Sequence, residues 1–231
     1  MPDFFRLSLD ALDRGLPAAF ARHFDPRDPS DSDFARHGLV MAASLTRAVP
    51  KRQAEFLAGR RCAIEALREQ GCSVSDIAIG TDRAPVWPQG FLGSITHSDG
   101  IAAAVVTGDS VLRGVGIDIE RIPAASGLDA LRELVLVDDE RRTMDVLAGE
   151  MGIAAALTMV FSAKESFYKA TAKTVGRVFD FSAVRVLGMG DAGLLDLVVN
   201  EDLISGLSRG MRFHTSVTWL DERTVMTACA W

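Results

Sequence analysis

GVGIDIER, residues 114–121, sets two carboxylates, Asp118 and Glu120, at positions i and i+2 of an otherwise apolar stretch. In a β-strand that spacing points both side chains to one face. Two like charges side by side attract a cation. A hard divalent ion such as Mg²⁺ takes oxygen ligands and keeps waters and substrate phosphates in its shell, so this pair plus one further carboxylate suffices to hold it. The alternative is a strand end with solvated acids, and the D-x-E spacing does not by itself separate the two. Upstream, IAAAVVTGDS (101–110) is a second apolar run rich in Val and Ala, followed by a Gly/Asp/Ser cluster. The two runs read as a hairpin, with Asp118 and Glu120 at the end of its second strand.

Downstream of Pro123 the pattern is helical to about Lys173, with interruptions near Gly149 and Gly152. DDERR at 138–142 reads as a solvated face. The uncharged run MGIAAALTMVFSA (151–163) falls short of the ~18 apolar residues of a membrane span and reads as a buried helix. It leads into FSAKESFYKA (161–170), where Glu165 and Lys169 are four apart on one helical face with Lys164 beside them. A surface Glu–Lys pair contributes about 0.2–0.5 kcal/mol. Flanking Phe161, Phe167 and the 151–160 run instead put this charged face along a cleft. From Phe179 to Trp231 the chain alternates as strands, with turns at GMGDAG (188–193) and LDER (220–223).

Toward the N-terminus, PKRQAEFLAGRRCAIEALREQG (50–71) has helical periodicity with Gly71 as its stop, and DPRDPSDSD (25–33) is an exposed loop. TDRAPVWPQGFLGSI (81–95) is a structured loop that delivers Thr96 and His97 to a loop-to-strand junction. The hydroxyls of Ser94, Thr96 and Ser98 are good donors to an anion. The guanidinium forks of Arg52, Arg60, Arg61 and Arg83 match phosphate. Helix followed by strand recurs in each half, so two similar α+β halves are expected.

The whole composition constrains partners. The 231 residues carry 25 Lys+Arg against 31 Asp+Glu, a net charge of −6, with 48% hydrophobic residues. Such a chain buries a real core without disulfides, and it has no overall basic field to attract nucleic acid. Three cysteines without CxxC spacing suggest neither a disulfide framework nor a thiolate zinc site, and a reducing cytoplasm is the expected compartment. The N-terminal MPDFFRLSLDALDRG, broken by Asp3, Arg6, Asp10 and Asp13, does not read as a secretion signal.

The ordered series GRRCA, PVWPQGFLGSITHS, GIDIE and FSAKESFYKA, spread over residues 52–170, resembles the 4′-phosphopantetheinyl transferases of the Sfp/EntD type. The PxWPxG loop and the AGR helix point to the EntD-like branch. Two departures stand out: Ala84 precedes the first proline of the loop where Sfp-like members are often basic, and Phe161 stands where they often have Trp.

The resemblance implies two similar α+β subdomains in pseudo-twofold arrangement, expected at 1–112 and 113–231, with an active cleft between them in a monomer. It also implies an activity: Mg²⁺-dependent transfer of the 4′-phosphopantetheine arm of coenzyme A to a serine of an apo acyl or peptidyl carrier protein, releasing adenosine 3′,5′-bisphosphate. Asp118, Glu120 and Glu165 are then expected to hold Mg²⁺, with Glu165 also taking the serine proton. Lys164 and Lys169 are expected on the diphosphate, and Arg52, Arg60 and His97 on the 3′-phosphate. Thr96 and Arg83 join the coenzyme A contacts. The rivals are a Mg²⁺-dependent phosphohydrolase or nucleotidyl transferase, which needs no carrier, and a coenzyme A-binding protein without catalysis. Siderophore, other nonribosomal peptide, polyketide and fatty acid carriers all remain open as acceptors.

Overall fold

The computed structural model describes residues 3–9, 15–80, 83–190 and 193–231. The expected Asp10 and Asp13, the start of the TDRAPVWP loop and part of the GMGDAG turn therefore lie outside the described residues. The chain divides into two compact units after Val111, and Leu9 and Gly15 belong with the second.

In the first unit, helix α1 (Pro50–Glu69) begins with proline at its first turn and stops before Gly71 at φ 78°. It packs on an antiparallel sheet whose strands run in the order β1 (Phe5–Leu7), β2 (Ala19–His23), β6 (Ile101–Thr107), β5 (Leu92–Ser98). Strand β6 is buried throughout, and its run of alanines lets the helix approach closely. The short strands β3 (Ala78–Ile79) and β4 (Pro85–Val86) pair separately.

The expected hairpin of 101–110 with 111–121 does not form. β6 turns back on β5 instead, with Ser98 opposite Ile101 across Asp99-Gly100. Both loop residues have positive φ, 42° and 87°. That is the two-residue geometry whose twist matches paired strands, and an Asp-Gly dipeptide favours it. Thr107–Ser110 carries the chain out of this unit. Thr96 and His97 thus lie within strand β5 rather than at a junction before it.

In the second unit an antiparallel sheet has the order β7 (Val115–Arg121), β11 (Thr224–Ala230), β10 (Arg212–Trp219), β9 (Leu194–Val199), β8 (Val184–Met189). The helical region divides into α2 (Leu128–Val135), α3 (Arg141–Met151) and α4 (Ile153–Val175): it breaks at Gly152 as expected, runs on through Gly149, and breaks also at 136–140, which the pattern did not mark. Leu157, Met159, Val160, Ala163 and Phe167 of α4 anchor the main core. The two halves are alike in kind, each a long helix on an antiparallel sheet, and the α+β expectation holds. Among the described residues no helix is long and apolar enough to cross a membrane.

Gly114 and Gly116 position α4 on β7. A Cβ on Gly116 would run into the Ser166 carbonyl oxygen, and one on Gly114 into that of Ala170. Only glycine lets the helix backbone rest directly on the strand here. That contact brings the 165–169 turn of the helix alongside Asp118 and Glu120.

Candidate active site

Strand β7 and helix α4 assemble the acidic group. Asp118 is buried, and its Oδ1 accepts a 2.6 Å charge-assisted bond from Lys169 Nζ, which also donates to the Ile117 carbonyl at 3.2 Å. Glu120 and Glu165 are half-buried beside them. Burial, then the neighbouring charge of Asp118, then that of Glu165 push Glu120 up to about 7, against the pull of Lys169. The Glu165 carboxyl is raised too, chiefly by burial, with Lys169 opposing and Asp118 adding.

With all three carboxyls ionised, as a bound cation would favour, they leave an excess of two negative charges over the one ammonium, the charge and ligand chemistry that suit one Mg²⁺. Among the described residues no three such side chains converge closely enough to form a ready-made metal cage. The group therefore fits the ion in charge and donor type while Lys169 neutralises Asp118.

Lys164 does not join them. Its ammonium is fully buried, donating at 2.8 Å to Glu140 Oε2, at 2.8 Å to the Val135 carbonyl and at 3.4 Å to that of Phe181. Of DDERR, Asp139, Arg141 and Arg142 are exposed as expected, and Glu140 alone departs from the solvated face. Glu140 is 0% exposed, because its carboxylate also accepts from the Val137 and Val186 amides. Next to this pair lies a cavity of about 500 Å³, lined by Glu165, Tyr168, Phe179 and Phe181 among others.

In the first unit, Arg52 of α1 and His97 of β5 meet at 3.0 Å between Nη1 and Nε2; a guanidinium only donates, so this contact is a hydrogen bond when Nε2 accepts. Glu55 flanks both, its Oε2 lying 3.6 Å from Arg52 Nη1 and 3.8 Å from His97 Nδ1. Arg60 is 3% exposed, stacks its guanidinium 4.9 Å over the Phe56 ring, and has a buried Nη1 with no hydrogen-bond acceptor. Burial lowers its pKa, against the attraction of Asp76. A buried guanidinium nitrogen lacking an acceptor suits an anion.

Thr96 is buried on the opposite face of β5 from His97, as strand alternation requires. Arg83 is exposed on a turn with φ 68° and does not join these residues. Arg61 pairs with Asp3 and stacks 5.4 Å over Phe4, tying the N-terminal segment to α1.

Sequence reasoning missed three contributors. Glu55 and Glu140 were hidden in charge-rich runs, where only the tertiary partner reveals a role. The third is a buried hydroxyl cluster: Thr227 Oγ1 lies 2.9 Å from Ser162 Oγ and 2.7 Å from Ser166 Oγ, and Ser166 also donates to the Thr227 carbonyl at 3.1 Å. Thr227 sits directly across from Asp118 in the sheet register, so these bonds fasten α4 to the sheet at the height of the acidic group. The i, i+4 serines of SAKES were the available signal.

Comparison with known proteins places these residues in a family. Residues 41–107 match the 4′-phosphopantetheinyl transferase N-terminal domain, and residues 114–194 match the 4′-phosphopantetheinyl transferase superfamily. Over 159 residues, 67% of this chain, it is 39% identical to enterobactin synthase component D of Salmonella typhi, of which the match spans 65%. It is 38% identical to the protein of the same name from Escherichia coli O157:H7, with 67% of this chain and 72% of that protein covered. To the 4′-phosphopantetheinyl transferase Svp of Streptomyces mobaraensis it is 36% identical over 66% of this chain and 61% of that one. The chain belongs to the 4′-phosphopantetheinyl transferase superfamily.

Proposed function

We propose that this protein transfers the 4′-phosphopantetheine group of coenzyme A to a serine of an apo carrier protein, releasing adenosine 3′,5′-bisphosphate. The observation that carries the reading is the grouping of Asp118, Glu120, Glu165 and Lys169 where β7 and α4 touch, within a chain of this family. Asp118, Glu120 and Glu165 would hold Mg²⁺, whose charge neutralises the donor's diphosphate oxygens. Lys169, already cationic and hydrogen-bonded in this group, stabilises the charge that builds on the departing phosphate. Glu165 accepts the serine proton, a task for which its raised pKa makes it a stronger base than an ordinary carboxylate. Arg52, His97 and Arg60 bind the 3′-phosphate, with the unpartnered Nη1 of Arg60 supplying a donor already stripped of water.

Lys164 is left out of the diphosphate role first expected of it, because its donors are spent inside the protein. A phosphohydrolase reading would use the same acids but pass the group to water. Incubation with coenzyme A, Mg²⁺ and a panel of apo carrier proteins, followed by intact-mass measurement, separates the two. The expected result is addition of one phosphopantetheine to a carrier, lost when the acceptor serine is replaced by alanine. Release of free phosphopantetheine with every carrier left unmodified would favour the hydrolase.

A further inference from the structure

The Lys164–Glu140 pair is a fully buried ion pair in which each partner is also bonded to backbone. Lys164 adjoins Glu165 on α4. Through it, the carbonyl of Val135 at the end of α2 and that of Phe181 after α4 are drawn onto one ammonium. Glu140 gathers the Val137 amide and the Val186 amide of β8 onto its two oxygens. Val135, Val137 and Phe181 line the cavity that Glu165 also faces. A buried charge is held this way only when every donor and acceptor is engaged, since either partner left alone is strongly unfavourable. The pair joins the cavity wall at 135–137 and, through Phe181 and the Val186 amide of the adjoining strand, the wall at 181–184 to the helix that carries Glu165.

We propose that Glu140, through its buried pair with Lys164, is a positioning residue that holds this cavity wall in register with Glu165, so that Lys164 acts inward on the protein and not outward on the donor's phosphates. The proposal rests on the transfer reading for its kinetic consequence and on geometry alone for its structural one. Misplacing a reacting group by about an ångström costs up to about a hundredfold in rate. Glu140 therefore influences turnover without touching substrate. The alternative, Lys164 as a phosphate ligand, predicts that Glu140 is irrelevant and that loss of Lys164 raises the KM for coenzyme A.

The test compares Glu140→Gln, Lys164→Met and the double variant with the wild type, under conditions where circular dichroism shows each to be folded. Glu140→Gln should lower kcat by about tenfold or more with the KM for coenzyme A changed less than about threefold. The double variant removes both buried charges and should be faster and melt higher than either single variant, without reaching the wild type, because a glutamine amide cannot accept from both the Val137 and Val186 amides. If it stays as slow as Lys164→Met with a raised KM for coenzyme A, Lys164 contacts the donor and the proposal falls. Wild-type kcat in Glu140→Gln overturns it equally. If Glu140→Gln does not fold, the comparison of Lys164→Met with the double variant decides alone.

Hydrogen exchange gives a readout that needs no transfer activity. In Glu140→Gln, residues 135–140 and 181–186 should lose protection together while α4 keeps its own. Unchanged protection in both segments would refute the wall-holding role. A wild type that modifies no carrier, yet shows this joint loss in the variant, would sink the transfer reading and leave the structural role standing.

Discussion

Glu120 is the residue whose protonation the fold displaces most legibly. Its pKa of about 7 in the folded protein lies above the 4.5 of an unperturbed glutamate. Between those values the folded state keeps a proton that the unfolded chain has released. Stability without metal should therefore fall as pH rises from about 4.5 through 7, by on the order of 2 kcal/mol once solvent screening of a partly exposed group is allowed for. Glu120→Gln should flatten that slope and be the more stable protein at pH 8. Urea unfolding in the presence of a chelator reads it, and parallel pH profiles for the two proteins would remove Glu120 from the acidic group. Lys169 makes a kinetic contrast. A surface ion pair would contribute only a few tenths of a kcal/mol to stability and nothing to rate, whereas a group acting in the transition state is worth about a hundredfold or more. Lys169→Ala should accordingly lower kcat by about that factor with little change in the KM for coenzyme A, and a shift in melting alone would mark the bond to Asp118 as structural. Spacing put the carboxylates on one face of a strand and the Glu–Lys pair on one face of a helix, but it did not by itself separate a site from solvated acids or a surface ion pair; the flanking apolar residues and the ordered motifs did that. The pairing of Lys164 with Glu140 was not legible, because the direction of a lysine in a helix depends on which carboxylate the tertiary fold buries beneath it.

At the scale of elements, the contact between β7 and α4 decides whether the acidic group exists at all. The glycines of GVG contribute by what they lack. Gly116→Ala places a methyl group against helix backbone, which, unlike the end of a side chain, cannot swing aside. The helix must then lift from the strand, straining the hydroxyl cluster of Ser162, Ser166 and Thr227 and parting Lys169 from Asp118. Overpacking of this kind costs about 1–3 kcal/mol or more. The variant should melt well below the wild type and lose transfer more than its folded fraction explains. By contrast, a Cβ on Gly93 would meet the Trp87 ring, a side chain that can move, so Gly93→Ala should be the milder change. Denaturant titration of the two ranks them, and equal losses would show that the β7–α4 approach has slack. The sequence pattern marked helix α1, helix α4 and the terminal strands, because apolar periodicity is local. It mispaired 101–110 because apolar runs do not state their partners, while the Asp99-Gly100 dipeptide that sets the true hairpin is a short-range signal two residues long.

Across the whole molecule, the same architecture of long helix on antiparallel sheet carries two different sets of polar side chains. The first unit pairs Arg52 with His97 and buries Arg60; the second groups Asp118, Glu120 and Glu165 around Lys169. A consequence can be measured by melting. A ligand that binds only the folded state stabilises it by RT ln(1 + [L]/Kd), about 2.7 kcal/mol at a hundredfold excess over Kd, which for a chain of this size corresponds to roughly 5–10 °C. Mg²⁺ should therefore raise the melting temperature of the second unit, and a chelator should reverse the shift. Asp118→Asn should abolish it, since a neutral amide leaves the excess negative charge too small to draw the ion. Arg52→Ala, in the other unit, should leave the shift intact while weakening the coenzyme A effect on melting. If Asp118→Asn keeps the full Mg²⁺ shift, the carboxylates of β7 and α4 do not hold the ion, and the charge that offsets them is that of Lys169 alone.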